Sequence, residues 1–253
     1  MPDPIIRLKD IHMYFGAIHA LEGIDLDVFR HEVLALVGDN GAGKSTLVKV
    51  LSGVYQPTRG QIIFEGSRVT IPTPAIARKM GIETVYQALA LADNLSVARN
   101  IFLGRELVQR YAGLPLLNKR KMDQETAKLL DDLGIKIHDV KAPVETLSGG
   151  QRQTVAAARA VYWDSKVILL DEPTSALAVV ERKRILDLAR DLARQNIAVI
   201  VISHSLPDVF EVSDRIVVLY HGRKIGERIT SETDSEEIVT LIMGGKRALQ
   251  EKP

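Results

Sequence analysis

Val33-Leu34-Ala35-Leu36-Val37-Gly38-Asp39-Asn40-Gly41-Ala42-Gly43-Lys44-Ser45 joins a continuous apolar run to a glycine-rich loop. Five apolar residues without alternation suit a strand covered on both faces. The eight residues from Gly38 to Ser45 fit G-x-x-x-x-G-K-[ST], and the sequence beyond them, through Leu47 and Val50, reads as a helix. Strand, loop and helix in that order are the setting in which this spacing binds phosphate. Glycines open backbone conformations closed to other residues, so successive amides can point inward at a helix N-terminus and cradle phosphate oxygens. Lys44 is then placed to neutralise the β- and γ-phosphates of a nucleoside triphosphate, and Ser45 to ligate Mg²⁺.

Working outward, Val167–Leu170, Ile197–Ile202 and Ile216–Leu219 are further short apolar runs, and with Val33–Val37 they predict a mostly parallel sheet. Val179–Asn196 carries Ile185, Leu188, Ala189, Leu192 and Ala193 at helical spacing. The run from Val167 ends in Asp171-Glu172, and ligands of open α/β sheets sit beyond the carboxyl ends of strands. Asp171 is expected to hold Mg²⁺ through water, and Glu172 to polarise a water attacking the γ-phosphate. Towards the N-terminus the pattern changes. Ile24–Val28 alternates, and Gln61–Phe64 is a short strand bracketed by Gly60 and Gly66, which predicts a small antiparallel sheet. Residues 88–160 lack strand signals and read as helical, with one helix from Asn118 to Leu133 closed by Gly134.

Composition narrows the function. The 253 residues carry 33 Lys plus Arg against 32 Asp plus Glu, a net +1, so neither a dedicated nucleic-acid binder nor an acidic disordered chain is expected. The absence of Cys excludes disulfide frameworks and cysteine zinc sites. The longest apolar run, Ile197–Ile202, is far short of the ~20 residues of a membrane span, and Met1–Asp10 has no apolar signal core. A cytoplasmic protein is expected, with any membrane-spanning part supplied by another subunit.

Leu147-Ser148-Gly149-Gly150-Gln151 precedes a helical stretch through Thr154 and Ala158. Together with the phosphate loop and the acidic strand end, it identifies a resemblance to the ATP-binding subunits of ABC transporters, covering residues 5–245. The resemblance implies a P-loop NTPase core (1–87 and 160–245) with an antiparallel β-subdomain, a helical subdomain (88–159) holding the signature, and a tail (246–253). It implies that Gly38, Asp39, Asn40, Gly41, Ala42, Gly43, Lys44, Ser45 and Thr46 hold ATP. Ser148, Gly149, Gly150 and Gln151 would close over ATP held by the other subunit of a homodimer, offering a hydroxyl, bare amides and a helix dipole. Phe15 matches the aromatic that stacks on adenine, with Tyr14 as the rival. Gln87 matches the glutamine that senses Mg²⁺ and the γ-phosphate, and His204 the switch histidine; both join Glu172 as catalytic candidates. The other five histidines, His12, His19, His31, His138 and His221, read as ordinary polar surface.

One position departs from the family. After Ser175-Ala176-Leu177 an Asp is usual, and this chain has Ala178, which puts tight coupling between the two nucleotide sites in doubt. The wording of the phosphate loop, of Asp93-Asn94-Leu95 through Gly104-Arg105-Glu106, and of Ile202–Pro207 resembles monosaccharide importers of the ribose, xylose and fructose type. The implied partners are two permease subunits, docked through the segment after Gln87 to about Arg105, and indirectly an external sugar-binding protein. The implied place is the cytoplasmic face of the plasma membrane. The alternative is a soluble ATPase of the same family acting on nucleic acid or the ribosome. A GTPase is disfavoured, because Asn118-Lys119-Arg120-Lys121 has Lys where the base-reading N-K-x-D needs Asp.

Overall fold

A computed structural model describes residues 3–86, 89–111, 114–163, 165–175 and 177–250. In chain order the strands are β1 (Ile6–Phe15), β2 (Ile18–Val28), β3 (Val33–Val37), β4 (Arg59–Phe64), β5 (Ser67–Val69), β6 (Ile82–Val85), β7 (Val108–Tyr111), β8 (Leu114–Leu117), β9 (Val167–Asp171), β10 (Ala198–Ile202), β11 (Arg215–Tyr220) and β12 (Arg223–Ile229). The helices are α1 (Lys44–Leu51), α2 (Pro74–Lys79), α3 (Val97–Ile101), α4 (Lys119–Asp132), α5 (Gly149–Tyr162), α6 (Val179–Arg194), α7 (Leu206–Val212) and α8 (Ser235–Gln250). They fall into two units. One comprises Met1–Gln87, Ser165–Pro173 and Leu186–Pro253, the other Ala88–Asp164 and Thr174–Ile185.

In the first unit a six-stranded sheet runs β12-β11-β3-β10-β9-β6, parallel except for the β11–β12 pair. All four apolar runs expected as buried strands are in it. The lack of alternation has a direct cause. On β3, Leu34 and Leu36 enter one apolar cluster while Ala35 and Val37 enter another, with Val209 and Ile238, so both faces of the pleat are covered. The expected antiparallel sheet has the order β2-β1-β4-β5 and begins earlier than the alternation of Ile24–Val28 indicates. β1 and β2 are long but bulged, with shifts between Leu8 and Ile11 and between Met13 and Tyr14, and these interrupt a clean period of two. On α6 the expected stripe of Ile185, Leu188, Ala189, Leu192 and Ala193 is buried.

The second unit is built around Val97, Ile101, Phe102, Met122, Leu130, Val144 and Val155, drawn from α3 and its C-cap, α4, α5 and the helical turn Val144–Thr146. Asn118 caps α4 by accepting from the Lys121 N–H, and Gly134 follows its C-cap with φ +63°, as expected from the sequence. The reading of residues 88–160 as strand-free is corrected: β7 and β8 form an antiparallel hairpin. Val108, Leu114, Leu116 and Leu117 on it are exposed, so no buried face imposed a sequence signal.

Asn100, fully buried on α3, organises the stretch before that helix. Its Nδ2 donates to the carbonyls of Ala92, Leu95 and Ser96, and its Oδ1 accepts from the Ala92 N–H. Asn100→Ala strands several buried backbone groups at roughly 1–3 kcal/mol each. Amide exchange of residues 92–96 should speed up at least about tenfold. Unchanged protection there would show that the segment holds its shape without Asn100.

Candidate active site

Register sets the site of the first unit. β10 lies between β3 and β9, with Ile202 opposite both Leu36 and Asp171, so the three strands end side by side. The phosphate loop leaves β3, Glu172 follows β9, and Ser203-His204 follows β10. Gly43 is the N-cap of α1 with φ +102°. A Cβ there would lie 2.8 Å from the Ala20 carbonyl, and one at Gly38 would collide with the Leu219 carbonyl, so bare backbone is obligatory at both positions.

The loop fits a phosphate on three observations. α1 starts without a side-chain cap, whereas Thr73, Ser96, Asn118, Ser148 and Ser205 cap α2, α3, α4, α5 and α7. The first-turn amides of α1 are thus left for an outside acceptor. Lys44 is 6% exposed and its Nζ donates to the carbonyls of Gly38 at 2.7 Å and Asp39 at 3.0 Å, within the loop itself. Burial pushes the Lys44 ammonium below the ordinary lysine range, against the charges of Glu172, Asp39 and Asp171. A buried cation facing an uncapped helix start is an anion-binding arrangement.

Burial lifts the carboxyls of Asp171, the last residue of β9, and of Glu172 just after it. For Asp171 it is opposed by the charges of Lys49, Lys44 and His204. For Glu172 it is opposed by the charge and backbone N–H of His204 and by Lys44, and reinforced by Asp171. Glu172 Oε1 lies 3.0 Å from His204 Nε2. The Glu172 backbone is left-handed, φ +53°, and its N–H donates to the Ile202 carbonyl at 3.0 Å. A non-glycine residue in that region is strained, and here the strain accompanies a carboxylate turned to the site. The Ser45 hydroxyl is the nearest residue type in the loop suited to a hard cation. Among the described residues no group of three or more His, Asp or Glu converges, so Mg²⁺ at this strand end would draw on Ser45, Asp171, phosphate and water, an ordinary donor set for it.

The two aromatic candidates on β1 differ in environment. Tyr14 Oη bonds His12 Nδ1 at 2.9 Å, His12 Nε2 bonds Asp10 Oδ1 at 2.8 Å, and the Tyr14 ring lies against His19. Phe15 is 39% exposed and makes an edge contact with Tyr55. His12 is therefore not plain polar surface as expected, but part of a Tyr–His–Asp chain. Gln87 lies outside the described residues.

In the second unit, Ser148 caps α5 with a reciprocal box. Its Oγ accepts from the Gln151 N–H at 3.2 Å and its own N–H donates to Gln151 Oε1 at 3.0 Å. Gln151 is thereby committed to the cap, while Gly149 is open. Ala178 is exposed, and its carbonyl accepts from the Arg182 N–H at the start of α6. Two features escaped the sequence reading. The Asn100 knot needs contacts at three different spacings, and the Ser148–Glu181 hydrogen bond joins residues 33 apart; neither has a local pattern.

The ABC transporter family model matches residues 21–175. The chain is 48% identical to the xylose/arabinose import ATP-binding protein XylG of Sulfolobus acidocaldarius over 98% of both chains. It is 41% identical to the fructose import ATP-binding protein FrcA of Rhizobium meliloti, over 98% of this chain and 97% of that one. The ribose import ATP-binding protein RbsA of Caldanaerobacter subterraneus matches at 38% over 96% of this chain, which spans 48% of that protein. Among solved structures, an ATP-binding cassette of an ABC transporter, MJ1267, superposes with TM-score 0.81 at 27% identity over the whole of both chains. Its ADP conformation gives TM-score 0.79 at 26% identity over 97% of each chain. Among the described residues no helix is long and apolar enough to cross a membrane. With this site on this fold, the chain belongs to the ATP-binding subunits of ABC transporters and is an ATPase.

Proposed function

We propose that the chain is the ATP-driven motor of a monosaccharide importer, acting as a homodimer on the cytoplasmic face of the plasma membrane against two permease subunits. An external sugar-binding protein delivers the solute to that assembly. The observation that carries the reading is the pair of relatives matched end to end, both named as sugar import ATP-binding proteins. A dimeric cassette, MJ0796, is among the solved structures that share the fold.

In the proposed mechanism, Gly38–Thr46 wrap the β- and γ-phosphates and Lys44 exchanges its loop carbonyls for phosphate oxygens, stronger acceptors for an ammonium. Ser45 and Asp171, with Gln87, would hold Mg²⁺, which when bound would supply charge neutralisation to the phosphates. Phe15 stacks on the adenine, because Tyr14 is held by His12. Glu172 takes a proton from the attacking water while His204, 3.0 Å away, orients its carboxylate. Ser148, Gly149 and Gly150 of the partner complete the γ-phosphate site, so hydrolysis waits for closure. Ala178 offers no carboxylate for linking the two sites.

Two measurements test this. Deleting the gene should abolish uptake of one labelled monosaccharide among xylose, arabinose, fructose and ribose, and retained uptake of all four would remove the sugar assignment. Phe15→Ala should weaken ATP binding by roughly 5- to 100-fold, the worth of one base–aromatic stack, with Tyr14→Phe unchanged. The opposite order would exchange their roles.

A further inference from the structure

We propose that Glu181 is an internal occupant of the signature anion seat, a carboxylate that the γ-phosphate carried by a second copy of this chain must displace. The inference rests on the reading that Ser148–Gly150 receive that phosphate. Ser148 Oγ donates to Glu181 Oε1 at 2.9 Å. A Cβ on Gly150 would lie 2.6 Å from the same oxygen, so the carboxylate rests directly on the first turn of α5. This is where the amides and dipole of a 14-residue helix favour negative charge.

The hydroxyl of Ser148 has one proton. Its lone pair accepts from the Gln151 N–H, and that cap survives whatever the proton does. The proton itself goes either to Glu181 or to a phosphate oxygen, because both are acceptors only. Two anions on one helix start also repel. The carboxylate and the γ-phosphate are therefore alternatives. Glu181 has a second resting place, since it sits in the first turn of α6, another helix start that favours an acid. Glycine at position 150 serves both states, admitting a carboxylate in one and a phosphate in the other. The consequence is a raised ATP requirement for closure, set within each subunit and independent of ATP affinity at the phosphate loop.

The test uses the full chain carrying Glu172→Gln, with Glu181 kept or changed to Gln, Ala or Lys, and sedimentation velocity across a Mg-ATP series. Gln keeps the shape and loses the charge, so it carries the test if Ala fails to fold. The ATP concentration for half-dimerisation should fall about 3- to 10-fold for Gln and Ala, and further for Lys. ATP affinity of the monomer, read with a fluorescent analogue at low protein concentration, should stay constant. An unchanged or higher ATP requirement in Gln and Ala overturns the assignment, as does a parallel change in monomer affinity. If none of the four proteins dimerises with ATP, the signature reading fails and takes this inference with it.

Discussion

Lys44→Ala is expected to raise the dissociation constant for Mg-ATP at least about 100-fold. The ammonium is 6% exposed and sits at the uncapped start of α1, where no other lysine or arginine of the loop can replace it. Each charge-assisted hydrogen bond to a phosphate oxygen is worth roughly 1.5–3 kcal/mol, and about 1.4 kcal/mol is tenfold in affinity, so two such bonds reach that factor. The fold should survive. The side chain's own partners are two carbonyls of its loop, Gly38 at 2.7 Å and Asp39 at 3.0 Å, beside the exposed Gly41. Burial already pushes the ammonium down from its ordinary range, so removing the charge relieves a desolvation cost. Calorimetric titration with Mg-ATP beside a melting curve checks both halves. An unchanged affinity would mean that the glycine loop binds something other than a triphosphate.

The parts of the fold that were legible in the sequence are those with local causes. β3, β9, β10 and β11 are short, covered on both faces and rich in Val, Ile and Leu, so burial itself wrote the pattern. α6 shows its stripe because one face is buried from Ile185 to Ala193, and α4 announces itself through Asn118 and Gly134 at its ends. The hairpin β7–β8 has no core to face, and its exposed leucines carry no register signal. The bulged β1 slips its alternation at each shift, which hides ten residues of strand from a period-two reading.

The same division runs through the site. A loop such as Gly38–Ser45 is a contiguous string whose backbone demands are spelled out by its glycines. The chain Asp10–His12–Tyr14 could have been suspected from i, i+2 spacing on one strand face, since those side chains point the same way. The left-handed Glu172 could not, because Leu170-Asp171-Glu172-Pro173 holds no glycine or asparagine to signal φ +53°, and the Ile202 carbonyl that its N–H meets belongs to a strand distant in sequence. Glu181 on Ser148 is likewise a product of packing between two helix starts far apart in sequence.

Glu172→Gln is expected to lower ATP turnover by roughly 10²–10⁴-fold, the usual worth of general-base assistance, while Mg-ATP binding persists. Gln fills the same space and can hydrogen-bond a water, but it cannot take the proton as the hydroxyl oxygen attacks phosphorus. The side chains proposed to hold the nucleotide and its metal, Lys44, Ser45 and Asp171, are untouched. In the proposed cycle closure is driven by binding and opening by hydrolysis, so the ATP-bound dimer should accumulate and become visible by size exclusion. Stability should hold or rise. Burial lifts the Glu172 carboxyl, so ionising it costs more in the folded chain than in the unfolded one, and a neutral isostere removes that cost while giving up the contact of Oε1 with His204 Nε2. Asp171→Asn separates the two acids: it should weaken Mg²⁺ retention as well as turnover, so its loss should be eased by raising Mg²⁺, whereas that of Glu172→Gln should not. A Glu172→Gln protein turning over at the parent rate would transfer the base to His204, whose Nε2 stands 3.0 Å away at the end of the adjoining strand.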